Sequence, residues 1–122
     1  MHELSLAQAL LDLAQKNAQG KRILALKVRV GALSGVVTDS LAFAFEMISR
    51  GTPAESARLD FERVPVVMVC QKCGQIAPTD EWNDLPGNEV VYRALERGCA
   101  CGSQELRIAG GQDFCLVEIE VV

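Results

Sequence analysis

The sequence has a single histidine among 122 residues, and it stands at position 2. Without a second imidazole there is no base to set beside a serine or cysteine nucleophile, and no histidine and carboxylate cluster of the kind hydrolytic zinc enzymes use. A glycine-rich phosphate loop is also missing, and no spacing of serine and aspartate sets up a triad. These absences argue against an enzyme. A basic excess is lacking too: 12 Lys and Arg against 16 Asp and Glu leave a net charge of -4. Nucleic acids and anionic membranes both call for a positive footprint, so both are disfavoured as partners. No apolar run approaches the ~20 residues that span a bilayer, and the first residues lack the charged-then-apolar layout of a signal peptide. The chain therefore reads as cytoplasmic, without internal repeats or low-complexity tracts.

What is present is enough to build one core, since 49% of the residues are hydrophobic. Ser5-Leu6-Ala7-Gln8 fits a capping box with Leu4 as its staple, which predicts a helix from about Leu6. Leu6, Leu10, Leu13 and Ala14 recur at helical spacing, and the pattern fades between Asn17 and Gly20. "RILALKVRVGAL" then alternates, placing Leu24, Leu26, Val28 and Val30 on one face and Ala25, Lys27 and Arg29 on the other, as in a half-buried strand. Thr38, Asp39 and Ser40 are possible caps for a second helix lined by Leu41, Ala44, Phe45 and Ile48, with Gly51 as its C-terminal glycine. A second strand is expected from about Ala57 to Phe61. Near the end, "ELRIAGGQDFCLVEIEVV" reads as a hairpin around Gly110-Gly111, completing the sheet.

Between Val69 and Ser103 the texture changes to four cysteines, two prolines and little sustained periodicity until "EVVYRAL". Cytosolic thiols stay reduced, so such a pattern points to metal before disulfides. Cys70-Gln71-Lys72-Cys73-Gly74 is a C-x-x-C-G knuckle, and Cys99-Ala100-Cys101-Gly102 supplies a second pair. Cys70, Cys73, Cys99 and Cys101 can close a four-thiolate zinc site, whose binding would hold together a module with few apolar residues of its own. Three alternatives remain open: one cysteine of the second pair is a bystander, Cys115 supplies a ligand, or the cysteines form a redox switch. Cys115 faces the same way as Val117 and Ile119 in its strand, which fits a small buried hydrophobe better. A closed site of this kind is expected to be structural or signalling, not catalytic.

At the other end of the chain, a free amine at Met1, the amide and imidazole of His2, and the amide and carboxylate of Glu3 crowd several nitrogen and oxygen donors into three residues. That mix suits nickel(II) or copper(II) better than calcium or magnesium. An exposed site of few side chains suits delivery more than storage. A free imidazole titrates near ~6.5, so binding through His2 should weaken as pH falls. The competing reading is a solvated terminal histidine.

Met1-His2-Glu3, the first helix, "KVRVGALSGVVTDSLAFAFEMISRGT", the C-x-x-C-G knuckle with its second cysteine pair and the closing "LVEIEVV" together resemble the HypA/HybF family, nickel-delivery proteins of NiFe-hydrogenase maturation. The resemblance implies an α+β fold: two helices packed on a three-stranded sheet form a nickel domain, residues 1-66 and 104-122, carrying an inserted zinc-ribbon-like domain, residues 67-103. It implies Ni2+ as a transferable ion on Met1, His2 and Glu3, and Zn2+ as a structural ion on the four cysteines. It further implies the GTPase HypB and the hydrogenase large subunit as partners, urease maturation proteins in some bacteria, and a homodimer as one possible state. An aspartate just before the second helix contributes to nickel binding in part of the family, and Asp39 lies in that neighbourhood, where a helix cap explains it better. The sequence departs from the family in its C-x-C second pair and in an extended loop from Gly74 to Gly98. The rival from another class is a zinc-ribbon adaptor that docks a partner and has no role with nickel.

Overall fold

A computed structural model describes residues 2–122, so Met1 lies outside the described residues. The chain divides into two compact units: residues 1–29, 36–62 and 115–122 form the first, and residues 30–35 and 63–114 the second.

In the first unit, helix α1 (His2–Ala18) buries Ala7, Leu10, Leu11, Ala14 and Ala18, and it packs against helix α2 (Thr38–Ile48), which buries Leu41 and Phe45. Helix α1 begins four residues earlier than the capping box implies. Gln8 does not reach back to the terminus; its amide donates instead to Asp12 Oδ1 one turn ahead, at 2.9 Å. Glu3 in the first turn opposes the positive end of the helix dipole. No side chain caps α2 either: its N-cap residue is Val37, and Asp39 sits inside the first turn.

Strand β1 (Ile23–Gly31) is central in a three-stranded sheet of order β2-β1-β6, with β2 at Arg58–Val64 and β6 at Phe114–Val121. Its residues Ile23, Ala25, Leu26, Val28 and Val30 are all buried, whereas Leu24 is exposed. Ala25, read from the alternation as a wet position, lines a shallow groove with Lys27, Asp60, Glu118 and Glu120. Long charged side chains close over a small residue on such a face and bury it without apolar partners. Two helices and a three-stranded sheet in one unit, with a cysteine-bearing second unit, are the α+β architecture expected.

The second unit holds its own sheet, order β4-β3-β5, in which β3 (Val67–Cys70) pairs antiparallel with β4 (Ile76–Ala77) and β5 (Leu106–Gly110). The stretch from Gly74 to Gly98 is not an extended loop. It contains β4, a 3₁₀ turn (Asp80–Trp82) and an 11-residue helix α3 (Gly87–Arg97) that packs on β5. Nor is the module without an apolar core: Val66, Met68, Cys70, Ala77, Val90, Ala94 and Leu106 are buried together, with Trp82, Leu85 and Val91 against them. The three strands are each too brief to show a period, so only α3 could carry one, and the rest of the core comes one or two residues to an element. Arg97 lies over the Trp82 ring, 4.4 Å from its centroid, and bonds the Pro78 carbonyl, tying the end of α3 to the 3₁₀ turn.

The final hairpin expected around Gly110-Gly111 does not form, because β5 and β6 belong to different sheets. Gly111, at φ +104, is where the chain leaves one sheet for the other, and a Cβ there would stand 2.9 Å from the Val66 Cα. The "GALSGV" segment meets this crossing: Gly31 N–H donates to Asp113 O (2.6 Å), Ala32 N–H to Val64 O (2.8 Å) and Leu33 N–H to Gly111 O (2.6 Å). A Cβ on Gly31 would lie 2.2 Å from the Gly111 carbonyl oxygen, which as backbone cannot swing aside. Gly31→Ala is therefore expected to cost about 3 kcal/mol, read as a fall of roughly 10 °C in thermal midpoint. An unchanged midpoint would show that the crossing tolerates a methyl group.

Candidate metal centre

Two stretches carry possible metal donors, one in each unit. In the second unit, Cys70 ends β3 and Cys73 follows on the turn toward β4, where Gly74 adopts φ +78 and its N–H donates to Cys70 O at 2.9 Å. Cys99 and Cys101 lie in the connection between α3 and β5, just past Gly98. The four sulfur atoms all lie within 4.8 Å of one another. Cys70 Sγ and Cys101 Sγ are 3.7 Å apart, and Cys73 Sγ and Cys99 Sγ 3.5 Å.

Those separations decide what the cluster can hold. With zinc–sulfur bonds of ~2.3 Å, the edge of a sulfur tetrahedron is ~3.8 Å. The two measured pairs are within a few tenths of an ångström of that edge, so the donor set fits a four-thiolate zinc ion in both chemistry and size. The C-x-C spacing brings both of its sulfurs to the cluster. Cys115, by contrast, is an exposed free thiol and is not among the four, so the expectation of a small buried hydrophobe fails. It alternates with the half-buried Phe114 and Leu116, on the open side of an outer strand of its sheet.

The two thiols of the first knuckle differ electrostatically. The Cys73 amide above all, then the Lys72 amide and the neighbouring Cys101 and Cys73 thiols, favour the Cys70 thiolate and outweigh burial, bringing its pKa down to about 6. The Gln75 amide favours the Cys73 thiolate, but the Cys99 sulfur, burial, and the Cys70 and Cys101 sulfurs outweigh it and push Cys73 up to about 11. Near neutral pH Cys70 thus holds a thiolate while Cys73 keeps its proton until a cation displaces it. Metal uptake must then release protons.

The second set lies on the first turn of α1. His2 is exposed, and its Nε2 is 3.0 Å from Glu3 Oε2, while the Glu3 side chain is only 15% exposed. Met1, the third member expected, is outside the described residues. Glu3 also lines an open groove of about 520 Å³ with Leu4, Asp39, Ser40, Phe43, Ala44 and Met47. Asp39 and Glu3 therefore share one groove. The apolar walls of that groove escaped the sequence reading: Leu4, Phe43 and Met47 are exposed by 52%, 65% and 53%. A signal existed, because α2 is apolar on nearly every face and cannot bury all of them against one neighbour.

Among the described residues, no helix is long and apolar enough to cross a membrane. A family model described as hydrogenase and urease nickel incorporation, metallochaperone, HypA, matches residues 1–121. The hydrogenase maturation factor HypA of Geotalea daltonii is 42% identical over 123 residues, covering all of both chains. That of Geobacter metallireducens is 37% identical over 122 residues, covering 99% of each. Among solved structures, the solution structure of the nickel metallochaperone HypA from Helicobacter pylori matches with a TM-score of 0.60 at 22% identity, over 98% of this chain and 97% of that one. A second solution structure, of HypA protein, matches with a TM-score of 0.66 at 24% identity, over 100% of this chain and 97% of that one. At such identities the two structures speak for the fold alone.

Proposed function

The chain belongs to the HypA family of hydrogenase and urease nickel-incorporation metallochaperones, and from that premise we propose that it binds Ni2+ at its amino terminus and delivers it to the hydrogenase large subunit. The observation that carries this reading is the first turn of α1, where an imidazole nitrogen and a carboxylate oxygen converge at 3.0 Å on a surface open to solvent. Amides in the first turn of a helix have no carbonyl to bond within it. Those of His2 and Glu3 can therefore serve the ion alongside the two side chains and the amine of Met1. Imidazole and amide nitrogens give strength and select nickel over harder cations, while the Glu3 carboxylate offsets charge. The open setting lets a recipient strip the ion.

In this reading residues 1–66 and 104–122 carry the nickel function and residues 67–103 the zinc function. Cys70, Cys73, Cys99 and Cys101 hold a structural Zn2+ whose bonds bind the ends of β3, the α3 connection and the first knuckle to one point. The protein is a carrier and not an enzyme, works in the cytoplasm, and meets the HypB GTPase and the large subunit in turn. Urease maturation proteins are second clients, and a homodimer is the assembly to look for.

Metal analysis tests this directly. One zinc and one nickel per chain are expected, with nickel passing readily to a mild chelator while zinc stays. Nickel that displaces zinc, seen as a thiolate-to-nickel absorption band, would instead place the cargo on the cysteines and overturn the amino-terminal assignment.

A further inference from the structure

The cysteine cluster is lopsided. Cys70 is 1% exposed, Cys99 is half-buried, and Cys73 and Cys101 are exposed. The first knuckle is held on both sides, with β3 ending at Cys70 and β4 starting at Ile76. Its backbone serves its own sulfurs: Cys73 N–H points at Cys70 Sγ, 3.5 Å away. Such amide donors stabilise a thiolate and hold it in place.

The second pair has a different setting. Amides here serve carbonyls, Cys99 N–H donating to Ser103 O at 2.7 Å and Gly102 N–H to Cys99 O at 2.9 Å. Among the described residues, no backbone amide makes a hydrogen bond to the sulfur of Cys99 or Cys101. Cys99 is anchored all the same, by its position directly after α3 and by packing against the apolar core. Cys101 has neither support. It sits at the tip of the turn Cys99 to Gly102, in a stretch between α3 and β5 with no helix or strand of its own, and its sulfur lies within the cluster 3.7 Å from Cys70 Sγ.

We propose that Cys101 is the replaceable ligand of the four-cysteine site, and that a thiol arriving from solvent takes its position while Cys70, Cys73 and Cys99 stay bound. This rests on the zinc reading above. Cys101 departs as a thiolate and takes up the proton that the entering thiol loses, so charge and coordination number are preserved and no oxidant is needed. A site with three fixed cysteines and one exchangeable one can accept a partner's cysteine directly. The shortened C-x-C spacing is what produces it, since one intervening residue leaves no room for a turn that directs amides at both sulfurs.

The test uses zinc-loaded Cys115→Ser protein, so that the exposed thiol outside the cluster is silent. Zinc content is measured first, then the protein is incubated with reduced glutathione, freed of unbound glutathione on a rapid desalting column, and treated at once with substoichiometric N-ethylmaleimide. Peptide mapping and native mass spectrometry should show Cys101 modified several-fold faster than Cys73, on a species that retains its zinc and has gained one glutathione. Cys101→Ser should still bind one zinc but release it to a chelator several-fold faster. Protein that binds no zinc overturns the zinc reading and this inference with it. Zinc-bound protein in which Cys73 reacts as fast as Cys101, or in which modification appears only after zinc has left, overturns this inference alone.

Discussion

Replacing His2 with alanine is expected to abolish measurable nickel binding while leaving zinc content and the circular dichroism spectrum unchanged. Loss of groups that merely orient a metal ligand costs about 10–100-fold in affinity, and removing the imidazole itself should cost more than that. The fold has little stake in this residue. His2 is exposed at the start of α1, and among the described residues its partner is the adjacent Glu3 carboxylate at 3.0 Å. Glu3→Gln should have a smaller effect, within that 10–100-fold range, because the amide keeps an oxygen donor but loses the charge. Calorimetric titration of both variants checks the pair, and a His2→Ala protein that binds nickel as tightly as the native one would remove His2 from the site.

The second large effect is expected from Cys70→Ser. Cys70 is at once the most buried of the four thiols and a member of the second unit's apolar cluster. Its N–H bonds Gln75 O at 2.9 Å, and the residue pairs with Leu106 across β3 and β5. Zinc contributes about 10–16 kcal/mol in small modules that depend on it, whereas a single core truncation costs about 2–5 kcal/mol. Loss of the metal therefore dominates the outcome. The variant should contain no stoichiometric zinc and should lose the thermal transition of the second unit, with helical signal from α3 persisting because Val90 and Ala94 still have apolar neighbours. Retention of one tightly held zinc would mean that Cys73, Cys99 and Cys101 suffice without Cys70 and that Cys70 belongs to the core alone.

How far the sequence reached depended on the length over which each signal ran. The alternation of β1 and the helical spacing of α2 extend over many residues and were legible. The four-cysteine group was legible because ligand chemistry needs particular side chains at short spacing, and the second pair came to the cluster despite its odd C-x-C form. The start of α1 was misplaced by four residues because Ser5 and Gln8 fit a capping pattern as well as they fit a helix interior. The expected loop from Gly74 to Gly98 misread a fold whose core is assembled from Met68, Ala77, Val90 and Leu106, one or two residues from each short element. The Gly110-Gly111 crossing was mistaken for a hairpin because a glycine pair signals a sharp turn either way. Only the strand order, with β5 and β6 in different sheets, shows that the chain changes sheets there. The groove that joins Glu3 to Asp39 was out of reach, since 36 positions separate them and only the packing of α1 on α2 brings them to one place.

The most direct test of the central claim is a nickel titration of zinc-loaded protein with its native amino terminus, set beside the same protein carrying one additional residue ahead of Met1. The extension leaves His2, Glu3 and every cysteine in place and removes only the amine at position 1. One nickel per chain bound by the native form, and lost or severely weakened in the extended form, is the result the account predicts. Equal binding by the two forms, or none by either, would contradict it and would leave a zinc-ribbon adaptor as the better description of this chain.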